Sequence, residues 1–111
     1  MSGEAKRVHY EVTPTGIEVA VYSDGDIVLR TPDRSSVVLE PAQLRQLSQV
    51  LSQLPDSAPQ RVSLGENRLE EEARIHWDGS SAEVTDGTST NISLTIDGVT
   101  DVETALGRLG Y

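Results

Sequence analysis

The sequence predicts an α+β fold, an antiparallel β-sheet architecture carrying two helices and built from two similar ββββα halves. Three observations carry this expectation. Apolar and polar residues alternate at period two in short segments separated by Gly, Pro and Asp turns, the mark of half-buried antiparallel strands. Each series of strands leads into a segment whose apolar residues recur at helical spacing. Finally, the stretch Val37–Leu54, VVLEPAQLRQLSQVLSQL, returns 55 residues later as Ile92–Leu109, ISLTIDGVTDVETALGRL. Val37 and Leu39 fall on Ile92 and Leu94, while Leu44, Leu47, Val50, Leu51 and Leu54 fall on Val99, Val102, Ala105, Leu106 and Leu109.

Residues 1–7 are polar and read as a flexible N-terminus. In the first half, residues 8–54, Val8, Tyr10 and Val12 alternate with His9 and Glu11 and stop at the turn Thr13-Pro14-Thr15-Gly16. Ile17, Val19 and Val21 form one face of a second strand. Asp24-Gly25 is a hairpin signal because Gly tolerates positive φ. Ile27–Leu29 and Val37–Leu39 follow as the third and fourth strands. Pro41 suits the first position of a helix, where its missing N–H costs nothing. The stripe Leu44, Leu47, Val50, Leu51 and Leu54 extends that helix to Pro55.

Residues 55–60 read as a linker and 61–111 as the second half of a single domain. Arg61–Leu64 is a short strand candidate. Ala73, Ile75 and Trp77 alternate with Arg74 and His76 up to Asp78-Gly79. Ala82 and Val84 mark a third strand, closed by Asp86-Gly87. In Asn91–Ile96 the residues Ile92, Leu94 and Ile96 point inward. Thr100 and Glu103 have the spacing of a capping box, which places the helix start there and its end at Gly110. The upstream alternation fits an offset of 56 rather than 55, so a bulge or a different turn length is expected between the halves.

A half of about 50 residues buries too little surface to be stable alone, so the halves are expected to share one core. With no Phe and only Tyr10, Tyr22, Trp77 and Tyr111 as aromatics, that core must be aliphatic. Cysteine is absent, which removes disulfides, thiolate zinc sites and thiol catalysis. No apolar run approaches the ~20 residues of a membrane span, and the N-terminus lacks the apolar centre of a signal peptide. A soluble cytoplasmic protein without membrane association is the expectation.

The net charge is −9. Residues 1–55 hold five basic and seven acidic side chains, and residues 56–111 hold four and eleven, so the halves carry −2 and −7. This balance opposes the phosphate attraction behind most nucleic-acid binding and favours solubility or a basic partner. Eight of the nine basic residues are Arg, a bias shared by high-salt proteomes and by GC-rich genomes.

Little chemistry is on offer. His9 and His76 both lie on polar strand phases, with no nucleophile or acid at a useful spacing. Asp24, Asp26 and Asp33, like Asp97, Asp101 and Glu103, lack the ligand alternation of a calcium loop. Glu70-Glu71-Glu72 reads as a solvated loop, or as a face for a basic partner. There is no P-loop, no GxGxxG and no Ser-His-Asp arrangement. The chain therefore reads as no enzyme, with no cofactor and no metal. Two surfaces are candidates for binding. One is the nearly uncharged outer face of helix 41–54, where Gln43, Gln46, Gln49 and Gln53 would form a protein interface, including a homodimer contact. The other is the outward strand phase with Arg30, Arg74, His76 and Tyr22, the groups of a single-stranded nucleic-acid platform.

Four antiparallel strands followed by a helix, with SVVLEPAQLRQLSQVL at the last strand and helix, resembles the plan of positive-cofactor-type transcriptional coactivators, which pair two ββββα units as a homodimer. The related Whirly proteins carry two such units in one chain. The resemblance implies an open twisted sheet that binds single-stranded DNA or RNA, with Arg30 and Arg74 as candidate contacts. It rests on topology, without the basic cluster such sheets carry. The leading expectation is a small acidic, non-catalytic module engaging a protein partner, of inhibitor, immunity or phage accessory type. The alternative is a single-stranded nucleic-acid binder adapted to high salt.

Overall fold

The computed structural model describes residues 5–111, so the expected flexible N-terminus falls largely outside the described residues. Two four-stranded antiparallel meanders each run into a helix. In the first, β1 (Arg7–Val12), β2 (Glu18–Tyr22), β3 (Ile27–Arg30) and β4 (Ser36–Leu39) lie in sequential order and lead into α1 (Pro41–Leu51). In the second, β5 (Gln60–Glu66), β6 (Glu72–Trp77), β7 (Ser81–Thr85) and β8 (Asn91–Thr95) repeat that order and lead into α2 (Ile96–Arg108). The α+β class and the ββββα plan of both halves are thus as expected.

Both sheets turn their alternating apolar faces into one shared core. Val19, Ile27, Leu29, Val37 and Leu39 come from the first sheet, and Ile75, Trp77, Val84, Ile92 and Leu94 from the second. Leu44, Leu47 and Leu51 of α1 and Val99, Val102 and Leu106 of α2 complete it. α1 lies against α2 and β5, while α2 lies against β7 and β8. Asp24-Gly25, Asp78-Gly79 and Asp86-Gly87 turn the chain as expected, with φ of 94° at Gly25, 102° at Gly79 and 92° at Gly87.

Two helix boundaries differ from expectation. α1 stops at Leu51, and Leu54–Asp56 forms a separate 3-10 turn that keeps Leu54 buried. Pro55 has no N–H to donate to the Leu51 carbonyl, so the α-helical ladder cannot continue through it. α2 begins at Ile96 instead of Thr100: the Thr95 hydroxyl accepts from the Gly98 N–H at 3.1 Å. Thr100 donates back to the Ile96 carbonyl, and Ile96, expected inside, is 45 % exposed. Pro41 and Ile96 therefore open their helices 55 positions apart, as the repeat itself implies.

The upstream mismatch is a turn of different length. Five residues (22–26) separate Val21 from its cross-strand partner Ile27, and four (78–81) separate Trp77 from Ala82. Trp77 is consequently the counterpart of Val21, not of Tyr22. It is fully buried, and its indole N–H donates to the Ser57 carbonyl at 3.0 Å, anchoring the segment between the halves.

Polar contacts also tie the halves together. Asp101 on α2 accepts from Thr15 N–H and Oγ at 3.0 and 2.7 Å. Asp86, itself buried, accepts from the Val38 N–H at 3.0 Å and so covers the edge of β4. Arg68, from the β5–β6 turn, reaches Glu40 and Asp26, each at 2.8 Å.

Candidate functional site

β1 holds the unexpected feature. Cross-strand partners in an antiparallel pair share a face, so the register Tyr10↔Ala20, Ala20↔Val28 and Val28↔Val38 defines one row across the whole first sheet. That row faces away from the core. Val19, Val21, Ile27, Leu29, Val37 and Leu39 belong to the other face, and the β1 residues opposite them are His9 and Glu11. The strand is inserted with its apolar phase outward: Val8 is 63 %, Tyr10 44 % and Val12 54 % exposed, and Val38 on β4 adds 45 %.

A slip of one residue would exchange the two phases, and local contacts hold the observed register. Thr13 closes the β1–β2 turn, its N–H donating to the Ile17 carbonyl at 2.9 Å and its hydroxyl accepting from the Ile17 N–H at 3.1 Å. On the outer face the Tyr10 hydroxyl donates to Glu18 at 2.7 Å, and the Arg7 guanidinium lies 4.8 Å from the Tyr10 ring centroid. The bond to Glu18 raises the Tyr10 pKa, keeping the phenol neutral. On the inner side Glu11 bonds His9 at 3.1 Å and pairs with Arg108 of α2; these two bonds lower its pKa.

The face is an apolar strip with a mixed polar rim. Glu18 and Arg30 are cross-strand partners beyond Val12. At the other end Tyr22, Val28 and Val38 line a shallow depression of ≈ 290 Å³ with Asp24 and Asp26 at its margin. Burial raises the Asp26 pKa, with the nearby Asp24 adding to the shift. β4 is covered by Asp86, and β5 lies against α1. β1, by contrast, pairs with no strand but β2 among the described residues.

The sequence-derived candidates are distributed differently. Tyr22 and Arg30 lie on the outer side of the first sheet, Tyr22 half-buried and Arg30 exposed. Arg74 and His76 are exposed on the second sheet, so the four do not form one platform. Arg74 is held by Glu72 at 3.0 and 2.8 Å. His76 stands between its cross-strand partners Arg61 and Glu83 beside a ≈ 190 Å³ depression. Gln46, Gln49 and Gln53 are exposed. Gln43 is 1 % exposed and cannot belong to an outer face: its carbonyl oxygen accepts from the Glu40 N–H at 2.9 Å and its amide donates to the Gly65 carbonyl at 3.0 Å. Among the described residues no three His, Asp or Glu side chains are grouped to hold a metal ion, and no helix is long and apolar enough to cross a membrane.

No protein-family model, curated protein or solved structure matches the chain. Sequence reading missed the outer face because strand alternation identifies two phases without saying which one is inside.

Proposed function

We propose that this protein is a non-catalytic module that binds another protein through the outer face of the β1–β4 sheet. The carrying observation is the inverted strand: Val8, Tyr10 and Val12 face solvent while His9 and Glu11 take the inner phase. A contiguous apolar strip with a polar rim is a common signature of an interaction surface. Covering the exposed parts of Tyr10, Val12 and Val38 would favour a complex by about 1 kcal/mol each. The alternative face on α1 offers Gln46, Gln49 and Gln53 but no exposed large apolar side chain to anchor a partner.

Nucleic acid is less well served. Glu72 neutralises Arg74, Glu83 stands opposite His76, and Arg30 lies on a different sheet opposite Glu18. With a net charge of −9, few cations remain to displace counterions from a phosphate backbone.

The test is site-directed photo-cross-linking. With a photoreactive amino acid at Val12 or Val38, protein adducts are expected, whereas Gln49 should give none. Adducts confined to Gln49, or none at Val12 and Val38, would refute the reading.

A further inference from the structure

We propose that the open β1 edge of this sheet binds a second copy of the chain, joined by antiparallel pairing of the two β1 strands about a twofold axis. The inference goes beyond the protein-binding reading, because edge pairing sets the two outer strips side by side and leaves both open to a further partner. Three features converge on it.

The first is the ladder. Thr13 is bonded across the hairpin to Ile17. Backbone groups alternate sides along an antiparallel strand, so Tyr10 and Val12 direct their N–H and C=O groups to the open side of β1. An extended edge of this kind binds another strand through main-chain bonds, and a twofold axis lets one surface serve both partners. The register shift between Arg7 and His9 limits the new ladder to Val8–Val12.

The second is side-chain complementarity. With the axis at Tyr10, Tyr10 faces Tyr10 of the second copy and Val8 faces Val12. On the opposite side of the joined sheet, His9 faces Glu11 of the second copy and Glu11 faces its His9. Apolar meets apolar on one face and base meets acid on the other. Directly opposed cross-strand pairs of these kinds each stabilise a sheet.

The third is electrostatic. Two molecules of net charge −9 repel each other over most of their surfaces. The seam is an exception, because Arg108 of each chain already balances its Glu11 and Arg7 lies over Tyr10. An acidic protein can meet itself here without adding uncompensated acid. The outcome is a continuous eight-stranded sheet whose outer apolar strips adjoin.

Sedimentation equilibrium of the full chain decides the matter. A species of twice 12.0 kDa is expected at high concentration, dissociating on dilution from on the order of 100 µM. Tyr10→Pro removes an N–H aimed at the second copy while leaving the β1–β2 ladder in place. His9→Glu opposes acid to acid. Both variants should sediment as monomers with wild-type circular dichroism, and Gln49→Glu should remain dimeric. A wild type that stays monomeric throughout, or a dimer indifferent to both β1 changes, overturns self-pairing. Photoadducts at Val12 then separate the two ideas. An adduct with this chain supports self-pairing, an adduct solely with a different protein leaves only the binding face standing, and no adduct removes both.

Discussion

A glutamine on the first turn of a helix ordinarily reads as surface, yet Gln43 is buried because both ends of its amide are bonded. One end holds the start of α1 and the other reaches β5 in the second half. Removing it would leave the Glu40 N–H and the Gly65 carbonyl without their partner, and an unsatisfied polar group costs about 1–3 kcal/mol. Gln43→Ala should therefore lose about that much in urea denaturation, while Gln49→Ala, on the exposed face, should change stability by less than about 0.5 kcal/mol. Equal effects at the two sites would contradict the structural role given to Gln43. Spacing alone could not separate these residues, because Gln43 and Gln49 look alike until β5 is brought alongside the helix.

At the scale of elements, much was legible and the exceptions have identifiable causes. The apolar alternation located all eight strands, and Pro41 marked the start of α1. The start of α2 was misread because two capping signals compete, and Thr95 holds the position that Glu40 holds in the first half. The inward phase of β1 was not legible. Val8, Tyr10 and Val12 look like core residues, and only the β1–β2 register shows that they are not. Turn chemistry was legible and carries a pH dependence. Asp78 accepts from the Ser80 and Ser81 N–H groups, each at 2.8 Å, and these bonds lower its pKa from 3.8 to about 2. A carboxyl whose folded pKa lies below its unfolded value stabilises the fold above the unfolded pKa and loses that effect as pH falls through the folded one. Asp78→Ala should thus lower the Tm near neutrality, and the gap from wild type should close as pH falls from 3.8 toward 2. A gap independent of pH in calorimetry would mean that the turn does not depend on the charged carboxylate. Asp26 acts in the opposite sense: its raised pKa means that protonation relieves part of its burial cost.

At the scale of the molecule, the halves are similar in plan and unequal in what their first strands do. β5 gives the core Leu64 and part of Val62, whereas no residue of β1 is buried. The shared core, the Asp101–Thr15 contact and the Asp86–Val38 contact bind β2–β4 to the second half. β1 adds its ladder to β2 and the Glu11–Arg108 pair. The one-residue difference between the β2–β3 and β6–β7 turns explains why the repeat reads cleanly through the last strand and helix and blurs upstream of them.

Inversion of β1 has a consequence in time. This strand precedes the others in the chain and so leaves the ribosome before them, but the core needs it least. Synthesis order and folding order are then opposed at this end of the molecule. β2–β4 can close on the second half while β1 waits, its valines and tyrosine exposed during the interval when association with a neighbour is easiest. Pulse-labelled hydrogen exchange during refolding should find β1 amides protected last, with protection rising as chain concentration rises. Protection of β1 in step with β2–β4 at every concentration would show that the strand docks with the core after all.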